Sequence, residues 1–109
     1  MDVEFDTAKL QRLCSTEKQL VRRFGPDRGR KTMLRLQQLE AADTLDDMRT
    51  LPGRCHELTG DRSGQLAIDL NHPYRLIFRP RDPIPHTPEG SLDWGRVTAV
   101  VVLDITDYH

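Results

Sequence analysis

Apolar residues recur at helical spacing in the first half of the chain and at every second position in the second half. Val3 to Phe5 is short and β-prone and reads as an edge strand. Asp6 or Thr7 then offers a side-chain oxygen to the orphan N–H groups of a helix start. From there Leu10, Leu13, Cys14, Leu20, Val21 and Phe24 fall on one face of a helix, with lysines and arginines on the other. Gly25-Pro26 ends that helix, and Asp27 is placed to cap a second one. In the second, Met33, Leu36, Leu39 and Glu40 recur at three and four, so the pair reads as a helical hairpin. Thr44 to Met48 predicts a further helical turn, with Thr44 and Asp47 spaced as in a capping box. Leu51-Pro52-Gly53 closes the helical half.

The period then changes to two. Gln65 to Leu70 alternates with Leu66, Ile68 and Leu70 inward, and Asn71-His72-Pro73 makes a turn. Tyr74 to Arg79 alternates again. It puts Tyr74, Leu76 and Phe78 on one face and Arg75, Ile77 and Arg79 on the other. Pro80 to Gly95 carries four prolines and reads as a long surface loop. Val97 to Ile105 is apolar at almost every residue, which predicts a strand buried on both faces inside the sheet. The order β-α-α-β-β-β-β predicts an α+β fold, a helical hairpin packed on a small, mainly antiparallel β-sheet.

Length and composition add boundaries to this picture. A chain of 109 residues organises around one core, so residues 1–109 are expected to form a single domain. The 37% hydrophobic content suits a globular domain with a thin core. There is no apolar run of membrane-spanning length, and Met1-Asp2-Val3-Glu4-Phe5-Asp6 lacks the basic and apolar regions of a secretion signal. Cys14 and Cys55 lie far apart and out of metal-ligand spacing, and read as two free thiols. A cytoplasmic location is the expectation.

The net charge of -1 speaks against a protein basic throughout, but its distribution is uneven. Arg22, Arg23, Arg28, Arg30, Lys31 and Arg35 face a single Asp27 within their span, whereas acids gather between Glu40 and Asp47. A local basic surface needs only such an arrangement.

Chemistry-bearing side chains are dense in two places: Arg54-Cys55-His56-Glu57 through Gly64, and Asp107-Tyr108-His109. On an antiparallel sheet, side chains from both are expected to meet on one face with Arg75. Singly, each has an ordinary reading: a surface histidine, solvated arginines, turn glycines, a frayed terminus. A zinc site drawn from Cys55, His56, His72, His86 and His109 finds no ligand spacing in the sequence, so no metal or other cofactor is expected. A Cys55–His56 nucleophile pair is disfavoured because adjacent strand residues point to opposite faces. Together, however, histidines, a tyrosine, an aspartate and arginines supply the parts for metal-free RNA cleavage. That reaction needs a base for the ribose 2′-OH, an acid for the leaving 5′-oxygen and fixed cations on the phosphate.

The ordered set His56-x-Leu58-x-Gly60-x-Arg62-x-Gly64, Asn71, Tyr74-Arg75-Leu76-Ile77-Phe78 and Asp107-Tyr108-His109 resembles the HigB branch of the RelE/ParE toxin superfamily. The resemblance runs from Leu51 to the end of the chain. It implies a RelE-like fold and the toxin of a type II toxin–antitoxin system, a ribosome-dependent mRNA endonuclease that inhibits translation. The implied partners are a helix-turn-helix antitoxin, the ribosome and mRNA, with DNA reached only through the antitoxin and no membrane. By position, His56, Asp107, Tyr108, His109 and Arg75 match the catalytic set. Arg62 reads as a phosphate contact, with Arg54 and Arg79 as further RNA-binding cations. The chain differs from the family pattern at Thr59, where a basic residue is usual, in its longer 80–95 loop and in its near-neutral charge. The competing reading is a non-catalytic binder, either a ParE-like topoisomerase poison or a degenerate toxin that only pairs with its antitoxin.

Overall fold

The computed structural model describes residues 1–107. Strand β1 (Asp2–Phe5) lies at a sheet edge, as its length and composition predict. The first helical segment is two helices rather than one. Thr7 Oγ1 accepts from Leu10 N at 3.1 Å to start α1 (Ala8–Leu13), and Thr16 Oγ1 accepts from Gln19 N at 3.1 Å to start α2 (Glu17–Phe24). A second cap inside the predicted helix breaks it, because a β-region Thr that satisfies a new set of orphan N–H groups cannot continue the old ladder. Helix α3 (Pro26–Ala41) begins at once. Gly25, at φ 87°, closes α2 and opens α3, and Pro26 takes the first turn, where its missing N–H costs nothing. Asp27 is therefore inside the helix instead of capping it, and its charge complements the first turn.

The α2–α3 hairpin closes on Gly29. A Cβ built there would lie 2.5 Å from Val21 N and 2.6 Å from Val21 Cα, so only glycine lets the two backbones approach. The turn Leu45–Thr50 follows, and Asp47 Oδ2 accepts from the backbone of Asp43 and Thr44 as the predicted capping box requires.

Strands β2 (His56–Glu57), β3 (Leu66–Asp69), β4 (Tyr74–Pro80) and β5 (Ala99–Asp107) complete a five-stranded sheet in the order β1-β5-β4-β3-β2. Only β1, which pairs with β5, is parallel to its neighbour. The predicted last strand is internal, as its apolar run requires, with β4 at the centre. Helical Leu20, Leu36 and Leu39 pack on Leu66, Ile68, Leu76, Phe78, Val100 and Val102 from one sheet face. Each fully buried Leu or Phe of this set contributes about 1.5–3 kcal/mol. The other face carries a small apolar floor of Leu58, Ala67, Ile77 and Leu103, to which no helical residue belongs among the described residues.

The 80–95 segment departs from a simple surface loop. Trp94 is only 6% exposed, sits in the main core and donates its indole N–H to Glu57 Oε2 at 3.0 Å. The Arg49 guanidinium stacks over its ring at 3.9 Å. Further out, His86 bridges to Leu92 and Thr87 N donates to Ser91 O, so the loop is a small hairpin, and Leu92, Trp94 and the Arg81–Glu4 ion pair tie the segment to the body.

Candidate active site on the open sheet face

Alternation and register decide which side chains meet. His56 stands opposite Ala67, Ala67 opposite Ile77, and Asp69 opposite Arg75, so all of these share the face of the Leu58, Ala67, Ile77 and Leu103 floor, to which no helix contributes among the described residues. Arg79 follows on the same face two residues beyond Ile77. His56, Arg75 and Arg79 are each half-buried, set around the floor of Leu58, Ala67, Ile77 and Leu103.

Asp69, which the sequence reading did not single out, organises the cations. Its Oδ2 accepts from Arg54 Nε at 2.7 Å and its Oδ1 lies 3.1 Å from Arg75 Nε. Behind it the buried Arg35 donates Nε to the Asp69 carbonyl at 3.3 Å, and desolvation lowers the Arg35 pKa against the opposing pull of Asp69. The one sequence signal was an aspartate between Ile68 and Leu70 in a strand otherwise apolar, a place where a charge needs partners. Arg79 bonds the Pro80 carbonyl at 3.0 Å and lies 3.7 Å from Asp82. Arg62, in the turn Gly60–Arg62 beyond β2, donates to Gln65 Oε1 at 3.3 Å.

The ring of His56 has a defined orientation. Its Nδ1 lies 2.5 Å from the Arg54 carbonyl oxygen, which can only accept. Nδ1 therefore carries the proton, and in the neutral ring Nε2 keeps its lone pair for a proton from elsewhere. Cys55 diverges from His56, as adjacent strand residues must. It packs against the main core, and burial pushes its thiol up to about 12. Such a thiol is no nucleophile.

The expected meeting of Asp107 with His56 and Arg75 does not occur. Asp107 pairs across from Tyr74, on the helix side, where it lines a cleft of about 320 Å³ with Arg23, Phe24 and Arg28. The cause is a bulge. Ile77 pairs with Asp104 but Phe78 with Val102, leaving Leu103 as an extra residue. One extra residue reverses the facing of all that follow, so alternation counted from Val100 and Val102 puts Asp107 on the wrong side. In its cleft the Arg28 guanidinium stacks 3.7 Å from the Tyr74 ring centroid. Tyr108 and His109 lie outside the described residues.

The sequence matches no family model, and the comparison with curated proteins gives no match. The fold itself has clear counterparts among solved structures. It is that of the YoeB/ParE toxins: a YoeB/ParE toxin from Agrobacterium tumefaciens superposes with a TM-score of 0.59 at 10% identity, covering 100% of both chains. A chain of the YoeB-YefM complex from Staphylococcus aureus gives 0.58 at 12% identity, covering 100% of this chain and 97% of the other. At these identities the likeness is one of architecture, and a fold does not by itself assign chemistry.

Proposed function

We propose that this protein is the toxin of a type II toxin–antitoxin system and an endoribonuclease acting on ribosome-bound mRNA. The observation that carries this reading is a half-buried histidine whose Nδ1 meets a carbonyl oxygen, which makes Nε2 the basic nitrogen, on the same sheet face as an arginine that shares one carboxylate with a second arginine. The shared fold with YoeB/ParE toxins supports the toxin class, and the YoeB-YefM neighbour supports an antitoxin as partner.

In this reading His56 Nε2 takes the ribose 2′-OH proton and O2′ attacks the adjacent phosphorus. The P–O5′ bond breaks, leaving a 2′,3′-cyclic phosphate on one fragment and a 5′-OH on the other. The proton for O5′ comes from His109, which with Tyr108 completes the assigned set. Arg75 and Arg54 hold the phosphate oxygens as charge develops, with Arg79 and Arg62 along the RNA path. Asp107 and Tyr108 are assigned to orient neighbouring groups or substrate. A positioned base of this kind contributes about 10²–10⁴-fold.

Induction of wild type and His56→Ala in a bacterial host, with primer extension on translated mRNA, tests the reading. Growth arrest with new mRNA ends in wild type, both lost in His56→Ala, is the expected result. Arrest without mRNA cleavage replaces it with the non-catalytic reading, a topoisomerase poison. No arrest and no cleavage leaves a chain that only pairs with an antitoxin.

A further inference from the structure

We propose that Asp69 is a positioning residue that fixes the tautomer of His56 by clamping the Gly53-Arg54 turn. The catalytic consequence rests on the ribonuclease reading above, but the tautomer claim stands without it.

Asp69 holds this turn at two points. Its backbone N–H donates to the Gly53 carbonyl at 2.7 Å, and its carboxylate receives the Arg54 side chain at 2.7 Å. The turn needs holding. Arg54 has φ 50°, in the left-handed region that a non-glycine residue adopts only at a cost. Gly53 before it has φ 110°, and a Cβ there would lie 2.8 Å from Ile68 Cγ2 and 3.0 Å from Arg35 Nε. Two consecutive positive φ angles, pressed against β3, turn the chain so that the Arg54 carbonyl faces the ring two residues on. That carbonyl is what places the proton on Nδ1.

A bland alternative has Asp69 only neutralising arginines. The two differ in what they require of His56. Neutralisation leaves the ring free to adopt the Nε2–H form common in unstructured peptides. The clamp instead demands Nδ1–H, which leaves Nε2 as the basic nitrogen. Arg75 then serves a second purpose. Its pairing with Asp69 Oδ1 holds the carboxylate on the oxygen that Arg54 does not use.

The test is ¹⁵N–¹H correlation of histidine-labelled full chain above the range where histidine is charged, with His56→Gln assigning the signal among the four histidines. Wild type is expected to show His56 as Nδ1–H. Asp69→Ala is expected to move it to mainly Nε2–H, and Asp69→Asn, which keeps an acceptor for Arg54, to restore Nδ1–H. If Asp69→Ala does not fold, Arg54→Gly tests the same link, since glycine tolerates the turn but loses the tie. It too is expected to raise the Nε2–H share. Wild type found as Nε2–H, or a tautomer unchanged by Asp69→Ala or Arg54→Gly, overturns the proposal. On RNA, Asp69→Ala is expected to lower kcat on the order of 10²-fold, with Asp69→Asn rescuing much of it. A wild type that shows Nδ1–H but cuts no RNA defeats the ribonuclease reading and leaves the clamp standing.

Discussion

Asp107 stands directly across from Tyr74 on the helix-covered side of the sheet, while His56 and Arg75 face the uncovered side. The two densest clusters of functional residues are thus separated by the thickness of the sheet at their last described position. Asp107→Asn is accordingly expected to reduce RNA cleavage well short of the about 10²–10⁴-fold loss expected for His56→Ala, measured as kcat on ribosome-bound mRNA. Equal losses for the two variants contradict this placement.

Arg75 is expected to resist its nominally conservative replacement. Its Nε pairs with Asp69, and a planar guanidinium holds oxygens in a fixed fork geometry that a lysine ammonium, a compact point charge, does not reproduce. Arg75→Lys should lose most of the activity that Arg75→Ala loses, roughly 10²-fold for a lost transition-state contact. Full activity in Arg75→Lys indicates that charge alone suffices.

Gly29 is the tightest point of the helical hairpin. Gly29→Ala drives a methyl into the Val21 backbone, which cannot rotate away as a side chain would. Overpacking of this kind costs about 1–3 kcal/mol, more than offsetting the helix propensity alanine gains. A lowered urea midpoint with unchanged m-value is the expected result.

Trp94 ties the 80–95 hairpin to the core. Trp94→Ala is expected to cost about 3–5 kcal/mol, the usual range for a buried large aromatic. Trp94→Phe keeps most of the packing and loses the bond to Glu57, for about 1 kcal/mol. Equilibrium denaturation of both variants gives the comparison.

Burial pushes the Cys14 thiol up to about 11 and that of Cys55 to about 12, from an ordinary value near 9. A thiol pKa raised on folding means the folded chain holds its proton longer than the unfolded one. The associated stability is present below pH 9 and is lost as pH rises from there toward 11 and 12. Both thiols should resist alkylating reagents at pH 8 until denaturant is added, and Cys55→Ala should flatten the alkaline fall in denaturation midpoint.

Much of the scaffold was legible because its signals are local. Tyr74, Leu76 and Phe78 alternate onto the core face, and Thr44 with Asp47 announces its turn. The break between α1 and α2 was harder to read, since Thr16 interrupts a face whose apolar residues jump from Cys14 to Leu20. The site was legible in part. His56 and Arg75 share a face because simple alternation holds through β3 and the first half of β4. Asp107 was misplaced because a bulge at Leu103 is a matter of pairing between strands, and no pattern within β5 records it. Asp69 escaped notice for a similar reason. Its role comes from Gly53, Arg54 and Arg75, which only the folded sheet assembles around it.

The most direct test of the central claim is the chemistry of the cut ends. Purified protein added to ribosomes programmed with a defined mRNA is expected to yield fragments ending in a 2′,3′-cyclic phosphate and beginning with a 5′-OH, without added metal and not with His56→Ala. Intact mRNA at stoichiometric protein, or cleavage that His56→Ala carries out equally well, contradicts the account.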